Sequence, residues 1–440
     1  MQPAMHPTPM RPLWAATAAA GSDFPELTSE VRAQVAVIGA GYTGLSAALH
    51  LAELGRDTVV LEAVNVGEGA SGLNGGQVIA GVKHDPDELL ARFGPQLGPR
   101  VIETVGNGPD LVFDLITQHG IECDAVRAGW IQPASSEREL LPIRARLEQW
   151  RRWGADADLL DRAQAVALTG STCYCGGWID RRGGTVQPLS YVRGLARAAT
   201  RAGARIHVRS PAIRLSSSGS DWRIDSPRGS VIASTVILAT GAYTGQLVDP
   251  LRRSLVTVPS FQVATAPLAE SLRRDILPQG QSASDTRRVL RYFRLDAGGR
   301  LLMGSRGAFD QSATPQSARH LYEAVHEIYP QLEGIAFEYH WSGLVGITAD
   351  RLPHLHAIAP GLLAGLGYNG RGIAMATTLG RLLARMADGA AADEIGYPVT
   401  ELQPLRLHRF ARLGARATMQ YLKARDRWDR RRQGLSQGLR

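Results

Sequence analysis

The chain has 440 residues, 44% of them hydrophobic and 20% charged, and a net charge of +8. That length exceeds what one simple core organises, so two domains of ordinary globular composition are expected. The positive charge is almost entirely arginine (lysine occurs only at Lys83 and Lys423), spread in pairs such as Arg151–Arg152 and Arg287–Arg288 with one denser cluster at Arg430–Arg432, which argues against a nucleic-acid partner.

In chain order, residues 1–30 read as a poorly regular leader. From Gln34 to Glu62 the pattern is strand (Val35–Ile38), glycine turn, helix and strand (Thr58–Leu61). A glycine-rich stretch over 67–77 suits backbone lying against a ligand. Helices are expected at 87–93, 109–119 and 137–153 among less regular segments. A second alternation follows, with a helix over 189–202, a strand at 205–208, a hairpin over 221–233 and the strand Thr235–Ala239. Residues 255–345 are strand-rich, with alternating runs at 289–295 and 300–304. A strand at 361–366 leads through glycines into a helix over 372–387. In the tail, Leu413, Ala417, Tyr421, Ala424 and Trp428 give one apolar stripe on an arginine-rich helix. Such a helix either lies on a membrane surface or packs on its own protein, and packing is the expectation.

No apolar run reaches the length of a bilayer span. The N-terminus, with Pro3, Pro7, Pro9 and Pro12, lacks a basic-then-apolar signal layout. A cytoplasmic protein without a transmembrane segment is expected. Cys123, Cys173 and Cys175 match neither zinc nor thioredoxin-like spacing and read as free thiols. His354 and His356 have no third ligand in view, so no metal is expected.

The sharpest signal is Gly39-Ala40-Gly41-Tyr42-Thr43-Gly44, which follows a strand and opens a helix. Gly39 permits the tight turn, Gly41 lets backbone approach a pyrophosphate, and Gly44 allows close helix–strand packing. The anion then sits at the positive end of the helix. Glu62 ends the next strand, where its carboxylate can hold both ribose hydroxyls. Two distant segments select FAD over NAD: Val236–Ala242, an apolar strand running into a small-residue turn, and Gly365–Ile373, which opens another helix. A ligand spanning three segments is long, and a second helix N-terminus suits the negative charge that hydride transfer leaves on a flavin.

Together these segments resemble the D-amino-acid-oxidase-like (DAO) family of FAD-dependent oxidoreductases, and within it the γ-glutamylputrescine oxidoreductase branch. The residues carrying the likeness are the fingerprint, Gly69–Gln77, Tyr292–Leu295 with Arg300–Leu302, Trp341–Gly343 and the C-terminal glycine segment. The resemblance implies an α/β fold: a Rossmann-type FAD-binding domain (three-layer ββα) with an inserted α+β substrate domain on an antiparallel sheet. The FAD-binding domain would comprise 31–90, 185–255 and 345–390, the substrate domain 91–184 and 256–344, and 391–440 a basic helical tail. It implies that Ala70, Ser71, Gly72, Asn74, Gly75, Gly76 and Gln77 pass the isoalloxazine and pyrophosphate. Ala212 would meet adenine through its backbone, Thr240 and Gly241 would line the cofactor, and Gly367, Asn369, Gly370, Arg371, Gly372 and Ile373 would cover the pyrimidine end.

Family members oxidise a C–N bond, giving hydride to the flavin and an imine that water hydrolyses; oxygen or another acceptor then reoxidises the flavin. The chain departs from the pattern at Leu73, where the branch has Arg. It also has no cysteine after Cys175, so FAD is expected to be non-covalent. The lysines used in the family for oxygen activation and carboxylate binding are absent from about 300–306 and about 374. The candidate catalytic residues are Lys83, which could attract a carboxylate or promote oxygen reduction, and Tyr292 with Arg294, which could orient substrate. The expected partner is a small-molecule amine. The rivals are an amine dehydrogenase feeding a quinone or carrier protein, and a catalytically silent FAD-binding assembly protein.

Overall fold

The computed structural model describes residues 12–306 and 315–437. Its larger sheet is built on Glu30–Ile38, which pairs in parallel with Thr58–Leu61 on one side and Gly229–Leu238 on the other. Arg205–His207 and Leu362–Leu366 extend this parallel core, and His354–Ala359 adds antiparallel to the latter. Alternation along the first strand settles its two faces. Val35 and Val37 bury against Leu45, Leu49, Leu379 and Leu383 of the helices Tyr42–Glu53 and Gly372–Ala387. Ala36 and Ile38 face the opposite way, toward Ile224, Leu215 and Trp222 of the antiparallel hairpin Arg214–Ser218 and Asp221–Ser226. Helices, parallel sheet and hairpin are therefore the three layers of a Rossmann-type ββα unit.

The second sheet has eight strands, in the order Phe337–Thr348, Leu255–Pro267, Arg300–Arg306, Arg291–Leu295, Ser282–Ser284, Trp130–Ala134, Gly176–Asp180 and Ala157–Leu160. All pairs are antiparallel except Ser282–Ser284 with Trp130–Ala134. One face carries Phe261, Val263, Phe293 and Met303 into a core covered by the helix Pro315–Ile328. The other face, with Gln262, Tyr292, Trp130 and Ser284, turns toward the Rossmann unit.

Several expectations are corrected. Residues 85–180 contribute three strands of the second sheet, where only helices were expected. The helix beginning at Pro86 continues past 93 to Gly106 with a break at Gly94, whose φ is 73°. The helix Gly108–His119 packs on Gly372–Ala387 and Pro188–Arg201, so it belongs with the Rossmann unit and not the substrate sheet. Past residue 391 the chain first adds the strand Val399–Thr400 beside His354–Ala359 before the tail helix.

Within the described residues, the supposed leader is regular and packed. Leu13–Thr17 is helical, and Leu13 and Trp14 are fully buried. Trp14 packs edge-on to Trp341 and donates Nε1–H to the Asn74 carbonyl at 2.7 Å. Residues 1–11, including three of the leader prolines, lie outside the described residues. The tail helix His408–Gln437 buries Met419, yet Leu413, Ala417 and Tyr421 are exposed. The expected stripe therefore does not pack on its own protein; Ala424 and Trp428 lie outside the described side chains.

Candidate active site and cofactor cleft

A cavity of about 620 Å³ runs between the two units. Along one wall it is lined by Gly39, Gly41, Tyr42, Thr43 and Glu62, then by Ala70, Ser71, Leu73, Asn74, Gly75 and Gln77. Ala212, Thr240 and Gly241 line it too, as do Gly367, Asn369, Gly370, Arg371, Gly372 and Ile373. The three chain segments read as one long binding site thus meet in one cleft.

The turn after the first strand is drawn tight. Gly39 has φ 108°, and a Cβ there would lie 2.9 Å from the Ala239 carbonyl. A Cβ on Gly44 would lie 1.9 Å from the Gly39 carbonyl and near Val37 and Ala239. Gly44 therefore seats the helix and does not touch the cavity. Glu62 accepts from Ala40 N–H at 2.8 Å and Val64 N–H at 3.1 Å, which fixes its carboxylate at the cavity edge. The loop 69–77 is latched to the fingerprint helix: Tyr42 N–H donates to Ser71 Oγ at 3.0 Å, and Tyr42 O–H to the Ser71 carbonyl at 2.6 Å. Asn74 Nδ2 donates to the carbonyls of Ala70 and Ser71, while its Oδ1 accepts from Gly76 N–H.

Two further loop glycines also lie outside the cavity. A Cβ on Gly72 would meet the Gly67 carbonyl at 2.2 Å, and one on Gly76 would meet Arg294 Nη1 at 2.3 Å. A side chain at either position would collide, so both glycines allow close packing behind the loop. Asn369 has φ 54° and locks the last glycine loop by accepting from Thr348 N–H at 3.1 Å. The Arg371 side chain donates to the Ala80 carbonyl and lies over the Trp130 ring, 5.6 Å from its centroid.

The three candidate catalytic residues part company. Lys83 lines the cavity with Trp130 and Gln132. Burial lowers its pKa to about 7, and the guanidiniums of Arg371 and Arg306 push the same way. Tyr292 lines the facing wall, its hydroxyl 2.9 Å from Ser260 Oγ and its ring against Gly75. Arg294 sits two residues along the same strand face but beyond the cavity. It is 2% exposed, donates to the carbonyls of Gly76, Val186 and Leu295, and covers the Trp14 ring. Its Nε and Nη1 are committed to backbone carbonyls outside the cavity, which is the place of a structural clamp and not of a substrate-orienting residue.

Residue types alone did not mark Ser260, Gln262, Ser284, Trp130 and Gln132, all of which line the cavity. Gln262 is the most pointed of them. Its Nε2 donates to the Leu73 carbonyl at 2.5 Å, while its Oε1 is buried without a hydrogen-bond partner. A buried acceptor left unpaired is costly, so this oxygen fits a ligand N–H. None of the three cysteines lines the cavity, and burial pushes the Cys123 thiol up to about 12. His354 and His356 are bound elsewhere, to Asp350 Oδ1 and the Thr400 carbonyl, each at 2.9 Å. Among the described residues, no helix is long and apolar enough to cross a membrane.

The glycine cradle, the fixed Glu62 carboxylate and the unpaired Gln262 oxygen suit a dinucleotide with a ring at its far end. Residues 34–386 match the FAD dependent oxidoreductase (DAO) family. The chain belongs to that family. This FAD-dependent oxidoreductase is 31% identical to the gamma-glutamylputrescine oxidoreductase of Escherichia coli, over 94% of this chain and 97% of that one. It is 34% identical to the probable oxidoreductase OrdL of Haemophilus influenzae, over 82% and 84% of the two chains. Its fold is shared with glycine oxidase from Geobacillus kaustophilus, with a TM-score of 0.70 at 24% identity, covering 82% of this chain and 95% of that one.

Proposed function

We propose that this flavoenzyme oxidises the C–N bond of a small amine bearing a carboxylate, of the γ-glutamylputrescine kind. The observation that carries the reading is one cavity lined by Lys83, Tyr292 and Gln262, whose Oε1 is buried without a hydrogen-bond partner. Full-length similarity to a gamma-glutamylputrescine oxidoreductase supports the same substrate class. Bound FAD supplies a two-electron acceptor for the hydride on the carbon next to nitrogen.

The chain's own groups would then hold the amine. Gln262 Oε1 accepts an N–H of the neutral amine, which leaves the nitrogen lone pair free to form the C=N bond as hydride departs. Tyr292 forms the wall beside Gly75 that limits the substrate's tilt. Lys83, when protonated, draws the carboxylate. No separate general base is required once the amine binds neutral. The resulting imine is hydrolysed by water to a carbonyl compound and the released amine or ammonia.

The test is an anaerobic panel of amines, amino acids and γ-glutamyl amines, read at the flavin absorbance. Bleaching by γ-glutamyl amines is the expected result. A panel that leaves the flavin oxidised throughout overturns the proposal. Peroxide formed under air, compared with dye reduced without oxygen, separates an oxidase from a dehydrogenase that feeds a quinone or carrier.

A further inference from the structure

The tail helix His408–Gln437 holds nine Lys and Arg against two Asp, a net +7 out of +8 for the whole chain. Elsewhere arginines are commonly neutralised: Arg146 by Asp85, Arg182 by Asp180, and Arg287 and Arg291 by Glu327. Among the described residues, Arg406, Arg409 and Arg416 reach no carboxylate within ion-pair distance. The excess formal charge is therefore concentrated on one element, where the described side chains of Arg409 and Arg416 have no carboxylate partner.

This helix also carries apolar side chains on two opposite faces. Met419 is 5% exposed and His408 Nε2 lies 3.2 Å from the Leu255 carbonyl, so their side packs on the strand Leu255–Pro267. At 3.6 residues per turn, Phe410, Leu413, Ala417 and Tyr421 fall on the far side. There Phe410 is 48%, Leu413 63% and Tyr421 58% exposed, continued by Leu407 at 66%. Arg409 and Arg416 flank this outer stripe, and Arg409 stacks on the Phe410 ring. An exposed row of large apolar groups bordered by unpaired cations is a surface awaiting a partner.

We propose that the outer face of the tail helix docks the enzyme on an anionic lipid surface. Acidic headgroups would pair with the arginines while Phe410, Leu413 and Tyr421 enter the boundary between headgroups and acyl chains. Three physical arguments choose this occupant. A second copy would bring another net +7 helix against the first, so like charges oppose self-association. A nucleic acid satisfies the charge but leaves the apolar stripe in water. A protein groove that engulfs a basic helix needs access all round it, whereas the Met419 side is already packed. A flat lipid surface meets the outer half alone.

The experiment uses the full-length, FAD-loaded protein and vesicles of phosphatidylcholine with or without phosphatidylglycerol. Cosedimentation with the anionic vesicles only, released by added salt, is expected, since surface charges are screened over roughly 8 Å at physiological ionic strength. Leu413→Ser/Tyr421→Ser should weaken that binding about tenfold or more by removing the apolar half of the interaction. Arg409→Glu/Arg416→Glu should weaken it as well. Both double variants change exposed positions and should keep their flavin absorbance, which separates lost docking from lost folding. No binding to anionic vesicles, equal binding to neutral ones, or indifference to the serine pair overturns the proposal. Duplex DNA bound more tightly than vesicles, or self-association that the serine pair abolishes, also overturns it.

Discussion

Charge on Lys83 is set by pH. With its pKa near 7 the side chain is protonated below neutrality and neutral above it. On the proposed reading, KM for a carboxylate-bearing amine should rise as pH climbs through about 7, and Lys83→Met should abolish that limb while leaving KM uniformly high. The stability sign is the reverse. The unfolded chain holds this proton up to about 10.5 and the folded chain only up to about 7, so the contribution to stability rises with pH between those values. Lys83→Met should therefore stabilise the protein most below pH 7 and not at all above 10.5, which thermal melts at several pH values check. Gln262→Leu should lower kcat/KM for the amine by about 10- to 100-fold, a loss of a fixed hydrogen bond in the reacting complex, with flavin absorbance intact. Arg294→Met should behave differently: it orphans three carbonyls at about 1 kcal/mol or more each, so Tm falls while activity per bound flavin is kept. Lys83 and Tyr292 were legible because a rare lysine follows the glycine loop and a tyrosine sits on an alternating strand. Arg294 looked equivalent because i and i+2 share a face; where the cavity ends along that face is a tertiary fact. Gln262 was invisible for the same reason.

At the scale of elements, the fingerprint unit was the most legible part, because strand, turn and helix are contiguous and each glycine has a local reason. The hairpin over 221–233, formed by Asp221–Ser226 and the start of Gly229–Leu238, was likewise read to within a few residues, as were the strands at 205–208 and 361–366 and the two long Rossmann helices, whereas Arg214–Ser218 was not. The strands Trp130–Ala134, Ala157–Leu160 and Gly176–Asp180 were not, being short segments whose partners lie up to about 150 residues away, as Ser282 does for Trp130. The small helix Leu13–Thr17 escaped notice because five residues carry no periodicity; its order comes from what Trp14 touches. Trp14→Ala removes a fully buried indole, a change that costs about 3–5 kcal/mol, and frees the Asn74 carbonyl beside the cofactor loop. A lower Tm together with faster loss of flavin on dilution is the expected pair of results. A lower Tm with unchanged flavin retention would separate the helix from the cofactor loop.

For the whole molecule, the cofactor cleft is a junction, lined by residues of both sheets and of three separated chain segments. Anything that binds the folded state alone raises its stability, so FAD at 100 times its Kd should add about 2.7 kcal/mol and raise Tm accordingly. Melting the FAD-stripped protein across a titration of FAD checks this, and a Tm indifferent to FAD would contradict the assignment of the cleft.

The buried Trp14 has a consequence for synthesis on the ribosome. Its ring rests on Trp341 and its carbonyl accepts from Gln187. Trp14 thus precedes in the chain the residues that build its resting place. Nascent chains ending before about residue 370 would expose this aromatic end and lack the last wall of the flavin cleft. The wall Gly367–Ile373 is thus made long after Gly39–Gly44, and chains cut short of it should not retain flavin.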